Sequence, residues 1–207
     1  MANLMELLQG QMTPQMISHL AQQIGGANQE KTAMAANGIL STLTGALARN
    51  ASNTEGARAL NDALERDHDG SILDNFMDML GGNRQPAPQQ QRAMNGAGIL
   101  KHLLGDRQGG ALDLISQMSG LNQNQSGSLM QMLAPMVLGM LGKQKRSQGL
   151  DLAGLASLLS GTVAQQKQSN PAMGLISGFL DKDGDGSIMD DVAGMGMKML
   201  GNFFKNR

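Results

Sequence analysis

Two short acidic segments carry the side chains with the clearest chemistry. Residues 181–187 read Asp-Lys-Asp-Gly-Asp-Gly-Ser and place carboxylates at positions one, three and five of a loop, with Gly at position six. This spacing is typical of an EF-hand loop, in which several oxygens converge on Ca²⁺ and Gly permits the sharp turn. Magnesium fits less well because it keeps several of its waters. The predicted calcium ligands are Asp181, Asp183, Asp185, Ser187 and either Asp190 or Asp191.

The last ligand of this loop leaves an alternative open. Position twelve, where an EF-hand has a bidentate acid, is Val192, and Asp190 and Asp191 lie one or two residues before it. A bent exiting helix would bring one of them to the ion. In the other interpretation the segment is a plain turn, and Ser187 with Asp190 forms a helix capping box. Three carboxylates within five residues repel one another without a cation, which favours the metal.

A fainter copy of the motif occurs at residues 65–71, Glu-Arg-Asp-His-Asp-Gly-Ser. Glutamate replaces the first aspartate, and His68 stands where the second copy has Gly. We therefore predict a weaker second calcium site here. Its candidate ligands are Glu65, Asp67, Asp69, Ser71 and Asp74.

Composition and motifs speak against several other functions. The net charge is −1 and only 2% of the residues are aromatic, which excludes the basic surface and stacking side chains of nucleic-acid binders. The chain has no Cys, and its three histidines form no His-x-x-x-His pair. It contains neither a Gly-x-Ser-x-Gly elbow nor a phosphate-binding loop. We therefore expect no enzymatic activity. Without a signal peptide or a long apolar span, we expect a cytoplasmic location.

The elements that would position these loops are all helices. Apolar residues recur at helical spacing, and alternating strand patterns are absent. Thr13-Pro14 and Asn28 are predicted helix starts, and Ser71 with Asp74 resembles a capping box. Pro135 predicts a kink or a break in a long apolar helix. The basic residues 143–148 are predicted to form a solvated turn.

An internal repeat divides the chain. Residues 27–33 and 121–127 match, and the match continues without a gap until Ile39 and Leu43 face Leu133 and Val137. We predict an all-α, multi-helix bundle built from two similar helical halves, each ending in an acidic, Asp-rich loop. The halves are residues 1–82 and 95–207, joined by a Pro/Gln-rich linker at residues 83–94.

Three segments resemble a known family. They are Gly-Ile-Leu-Lys-His-Leu-Leu-Gly at 98–105, Ile-Ser-Gln-Met-Ser-Gly-Leu at 115–121, and Met-Leu-Ala-Pro-Met-Val-Leu-Gly-Met-Leu-Gly at 132–142. They are similar to the YidB-like bacterial family of unknown function, domain of unknown function 937, over about Met16 to Leu200. The resemblance implies a small, soluble, helical bacterial protein. It carries over no catalytic residue.

The remaining signal is a chain rich in Met and Gly, with 18 and 28 residues. Met-rich helix faces form either a soft core or an adaptable binding surface. At the C-terminus, Val192, Met195, Met199 and Phe203 make one amphipathic stripe. We predict a non-enzymatic calcium-binding protein that acts through protein–protein contacts, with a homo-oligomer or another protein as partner. The alternative is a peripheral membrane protein that uses this C-terminal helix.

Overall fold

The computed structural model describes residues 4–82, 85 and 87–169, and these residues form an all-α bundle, as predicted. No strand occurs among them. Two 3₁₀ helices occur among them, Ser71–Asn75 and Gly105–Arg107. The α-helices are α1 (Leu4–Gln11), α2 (Pro14–Gln23), α3 (Gln29–Asn50), α4 (Thr54–Arg66), α5 (Phe76–Leu80), α6 (Pro88–Ala93), α7 (Gly96–Leu104), α8 (Gln108–Ser119), α9 (Gln123–Gln148) and α10 (Leu152–Ser169).

Side-chain caps start α2, α3 and α9, the first two at the residues that the sequence indicates. Thr13 Oγ1 accepts a hydrogen bond from the Met16 amide at 3.2 Å, and Pro14 follows at the first helical position. Asn28 Oδ1 accepts from the Lys31 amide at 3.0 Å and begins α3. Asn122 begins α9 in the same way and forms a capping box with Gln125.

Helices α3 and α9 form the centre of the bundle and contact each other. Helix α3 is covered by α2, α8 and α10, and α9 by α1, α7 and the first 3₁₀ helix. Both central helices are buried around most of their circumference in their middle turns. The four residues that the repeat predicts to face a shared core all lie in it: Ile39, Leu43, Leu133 and Val137.

Two local predictions are wrong, and the break that Pro135 could cause does not occur. Residues 143–148 continue α9 as its last turns instead of forming a solvated turn. The helix is also unbroken at Pro135, which is buried among the apolar residues of α9. Finally, Ser71 does not cap a helix; its amide donates to Asp69 Oδ1 at 2.9 Å, and a 3₁₀ turn follows. Packing around α9 and its contacts with the acidic loop outweigh these local preferences. Within the predicted linker, residues 88–93 form α6.

Candidate functional site

The structure describes the first acidic loop but not the second. Asp181, Asp183, Asp185, Ser187, Asp190 and Asp191 all lie outside the described residues. Calcium binding by that loop therefore stays a prediction. In the first loop, Glu65 lies in the last turn of α4, and Asp67 is the C-cap residue directly after this helix. Ser71 and Asp74 belong to the 3₁₀ helix that follows.

The first loop rests directly on the C-terminal turns of α9. Two glycines of α9 leave the space for this contact. A Cβ on Gly142 would overlap the His68 carbonyl oxygen and lie 2.9 Å from its carbonyl carbon. A Cβ on Gly139 would lie 3.4 Å from Leu73 Cδ2. Gly70, with φ of 91°, turns the loop backbone here into a conformation that side chains rarely adopt.

Cations of α9 pair with two of the loop's carboxylates. Lys145 Nζ donates to Glu65 Oε1 at 2.6 Å, and Arg146 Nη1 lies 3.1 Å from Asp69 Oδ2. The hydrogen bond and charge of Lys145 hold the pKa of Glu65 below its usual value. Hydrogen bonds from Ser71, with Arg146 in support, likewise lower the pKa of Asp69. We call this arrangement of residues 65–71 on residues 142–146 the acidic clasp.

The third carboxylate of the loop, that of Asp67, pairs with other cations. Asp67 Oδ2 accepts from Arg66 Nε at 2.8 Å, and Arg92 Nε lies 3.9 Å from Asp67 Oδ1. Arg92 belongs to α6, so the segment between the predicted halves also reaches the clasp. Because both arginine side chains are largely exposed, each pair contributes little by itself.

His68 is buried at the centre of the clasp, with an exposed fraction of 5%. Its carbonyl faces Gly142, and its Nδ1 atom is buried without a hydrogen-bond partner in the described part of the chain. Burial lowers the pKa of His68, against the opposing effect of the Asp67 charge. The imidazole is therefore held in its neutral form near pH 7.

The clasp does not have the geometry of a calcium site. Glu65, Asp67 and Asp69 point to three different sets of cations and do not converge on one point. No group of three His, Asp or Glu side chains that could hold a metal ion occurs within residues 4–82 and 87–169. Calcium here would have to displace Lys145 and Arg146 from their carboxylates. Binding by the weaker predicted site thus remains a prediction that this conformation does not support.

A second candidate is a shallow depression of about 440 Å³ on α2. Its lining comes from one helix: Pro14, Gln15, Ser18, His19 and Gln22. His19 is its one titratable side chain, and its Nε2 atom is buried without a partner among the described residues. Because His19 Nε2 makes no hydrogen bond to a hydroxyl or a carboxylate there, the imidazole is not arranged for acid–base catalysis.

The sequence indicated the acidic half of the clasp but missed the basic half. Lys145 and Arg146 follow the apolar stretch of α9 and lie about 80 positions after the loop that they hold. One signal was available: cations are favoured in the last turn of a helix, where they meet the negative end of its dipole. That signal predicts a longer helix but does not identify its partner.

A model of the family described as bacterial protein of unknown function, DUF937, matches residues 6–144. The chain belongs to this family. The DUF937 match begins in α1 and ends within α9, so it includes the acidic loop but stops before Lys145, α10 and the second acidic loop. It starts and ends earlier than the resemblance over Met16 to Leu200 indicated.

No curated protein and no solved structure gives a significant match to the chain. None of the helices within residues 4–82 and 87–169 is long and apolar enough to cross a bilayer.

Proposed function

We propose that this DUF937 protein is a non-enzymatic helical domain with a calcium-binding C-terminal segment. It acts through protein–protein contacts, of which self-association is the simplest. The segment comprises residues 170–207, which follow α10 and include the acidic loop at 181–191 and the amphipathic stripe from Val192 to Phe203. Cytoplasmic location remains a prediction.

One observation carries this proposal: the described bundle keeps its large apolar side chains inside. Within residues 4–82 and 87–169, the exposed large hydrophobic side chains are Met34 and Met118. A stable interface buries about 800 Å² on each partner, far more than two methionine side chains supply. The helical spacing of Val192, Met195, Met199 and Phe203 predicts a longer apolar stripe. The partner contact is therefore assigned to the C-terminal segment.

The spacing of its carboxylates supports calcium control of this contact. Asp181, Asp183 and Asp185 lie immediately before the amphipathic stripe, with Asp190 or Asp191 at its start. An ion held by these residues fixes the direction in which the following residues leave the loop. Calcium then determines whether the stripe is presented to a partner. Calcium binding alone is measured by calorimetry, and the Asp183→Ala/Asp185→Ala variant is expected to lose it.

We further propose that the bundle is a duplicated unit. In this duplication α1, α2, α3 and α4 correspond, in that order, to α7, α8, α9 and α10. The interval from Pro14, which begins α2, to Gln108, which begins α8, equals the interval between the caps Asn28 and Asn122. Helices α3 and α9 take matching central places. Superposition of 28–47 on 122–141 in an experimental structure tests this, and unrelated packing of the flanking helices would contradict it.

Sedimentation velocity with calcium and with chelator tests the function. The full-length protein should assemble with calcium and become monomeric in chelator. Assembly should be lost in Met195→Glu/Met199→Glu, which interrupts the stripe with charge, and in the calcium-site variant. The matched control, Met34→Glu/Met118→Glu, places the same charges on the bundle and should assemble normally.

Two outcomes would contradict the proposal. A monomer under both conditions excludes calcium-controlled self-association. Assembly that is lost only in the control variant would mean that the partner contact lies on the bundle and not on the C-terminal segment. Liposome flotation distinguishes the alternative: binding to vesicles that disappears in Met195→Glu/Met199→Glu would favour the peripheral membrane function.

A further inference from the structure

The composition concentrates the chain's oxidisable side chains in one residue type. The sequence has no Cys, Trp or Tyr but has 18 Met. The methionine thioether reacts with peroxides to give a sulfoxide, at rates that follow its exposure. The positions of the methionines therefore decide where an oxidant acts.

The described methionines fall into three groups by exposure. Six are buried in the core: Met5, Met16, Met79, Met130, Met136 and Met140. Four are half-buried: Met12, Met77, Met94 and Met132. Within residues 4–82 and 87–169, only Met34 and Met118 are largely exposed, with exposed fractions of 53% and 40%.

The packing of α3 against α8 places these two methionines at the same level. Lys31 Nζ donates to the Gly120 carbonyl at 3.1 Å. Farther along α3, a Cβ on Gly38 would lie 3.8 Å from Ile115 Cγ1. Residue numbers thus rise along α3 as they fall along α8, so the helices run antiparallel in this stretch.

Met34 lies three residues after Lys31 on α3, and Met118 lies three residues after Ile115 on α8. A helix turns by about 100° per residue, so each methionine is rotated by roughly 60° from that contacting residue. Because the helices are antiparallel, both rotations lead to the same side of the helix pair.

We propose that Met34 and Met118 form a peroxide-reactive surface site, the first methionines of the bundle to be modified by a hydroperoxide. In each reaction a sulfur lone pair attacks one peroxide oxygen. An S–O bond forms as the O–O bond breaks, and the other oxygen leaves as hydroxide, or as alkoxide from an organic hydroperoxide. The oxygen now bound to sulfur gives up its proton and the leaving oxygen takes up one, so the products are the sulfoxide and water or an alcohol. The sulfur loses two electrons and the peroxide gains them. This proposal is independent of the proposed function, because neither residue belongs to the C-terminal segment.

The bundle should tolerate this modification. A sulfoxide oxygen at either position reaches water, so no polar group becomes buried. Sulfoxide formation at Met130 or Met136 would instead place a polar oxygen inside the core, next to apolar neighbours. The exposed pair can thus consume oxidant while the fold persists, and the buried methionines are reached only when the bundle opens.

Peptide mass spectrometry of the native, full-length protein during treatment with hydrogen peroxide tests the proposal. Sulfoxide should form at Met34 and Met118 at least about tenfold faster than at Met130 and Met136, which react only through opening. In concentrated guanidinium chloride, all four should react at similar rates, which controls for peptide detection. Equal rates in the native protein would overturn the proposal.

A matched variant tests whether the fold tolerates the modification. Wild type and Met34→Leu/Met118→Leu receive the same peroxide treatment, stopped when the pair in the wild type is converted. Their unfolding midpoints in urea should then agree, because they differ only at the exposed pair. A lower midpoint for the oxidised wild type would overturn the inference that this site is modified without damage to the fold.

Discussion

The contact between Gly142 and the acidic clasp predicts a large effect from one methyl group. In Gly142→Ala the new Cβ would overlap the His68 carbonyl oxygen and lie 2.9 Å from the carbonyl carbon. Both obstructing atoms are backbone atoms, so no side-chain rotation can relieve the overlap. The loop would have to move away from α9 by more than about 1 Å to reach normal van der Waals contact.

Three contributions determine the magnitude. Overpacking of a closed contact costs about 1–3 kcal/mol. Moving the loop also loosens its apolar anchors, Ile72 and Phe76, which are almost fully buried, and this costs about 1–2 kcal/mol more. The higher helix propensity of Ala than of Gly stabilises the variant by about 1 kcal/mol, which offsets part of this cost. We therefore expect a net destabilisation of about 1–4 kcal/mol, or roughly 2–16 °C in melting temperature for a domain of this size.

Urea denaturation followed by far-UV circular dichroism measures this change. Gly161→Ala is the matched control, because Gly161 is an exposed residue of α10 and a Cβ added there would meet no atom within 4 Å. It should stabilise the protein by about 0.5–1 kcal/mol through helix propensity alone. If Gly142→Ala proved as stable as Gly161→Ala, the clasp could not rest on α9 as described.

Two further predictions concern the clasp and the helix starts. Burial lowers the pKa of His68, so its contribution to stability is present above the unfolded pKa of about 6.5 and is lost as the pH falls below it. The urea midpoint of His68→Gln should accordingly fall less than that of wild type between about pH 7.5 and about pH 5.5; equal slopes for the two proteins would contradict the burial of His68. Asn28→Ala and Asn122→Ala should each lose about 1 kcal/mol in the same assay, because each removes a helix cap, and Asn37→Ala, within α3, should not. Very different losses of stability in Asn28→Ala and Asn122→Ala would argue against equivalent roles for α3 and α9.

Much of the fold could be predicted because its signals are local. Thr13 and Asn28 begin helices through hydrogen bonds to amides three residues away, so their sequence neighbourhood is sufficient. The spacing of Ile39, Leu43, Leu133 and Val137 likewise predicted which faces are buried. Pro135 shows the limit of such local signals. Its preference for a break is real, but the packing around α9 keeps the helix continuous.

For the candidate site, too, some features could be predicted from the sequence and others depend on the packing of distant segments. The sequence by itself determined an all-α chain, the starts of α2 and α3 and the positions of its acidic side chains. Only the tertiary structure decided that Glu65 and Asp69 pair with Lys145 and Arg146, that Gly142 receives the loop, and that Met34 and Met118 are exposed. The reason is physical: helix propensity and capping act over a few residues, whereas a charge or a surface takes its partner from whichever distant segment the packing brings alongside.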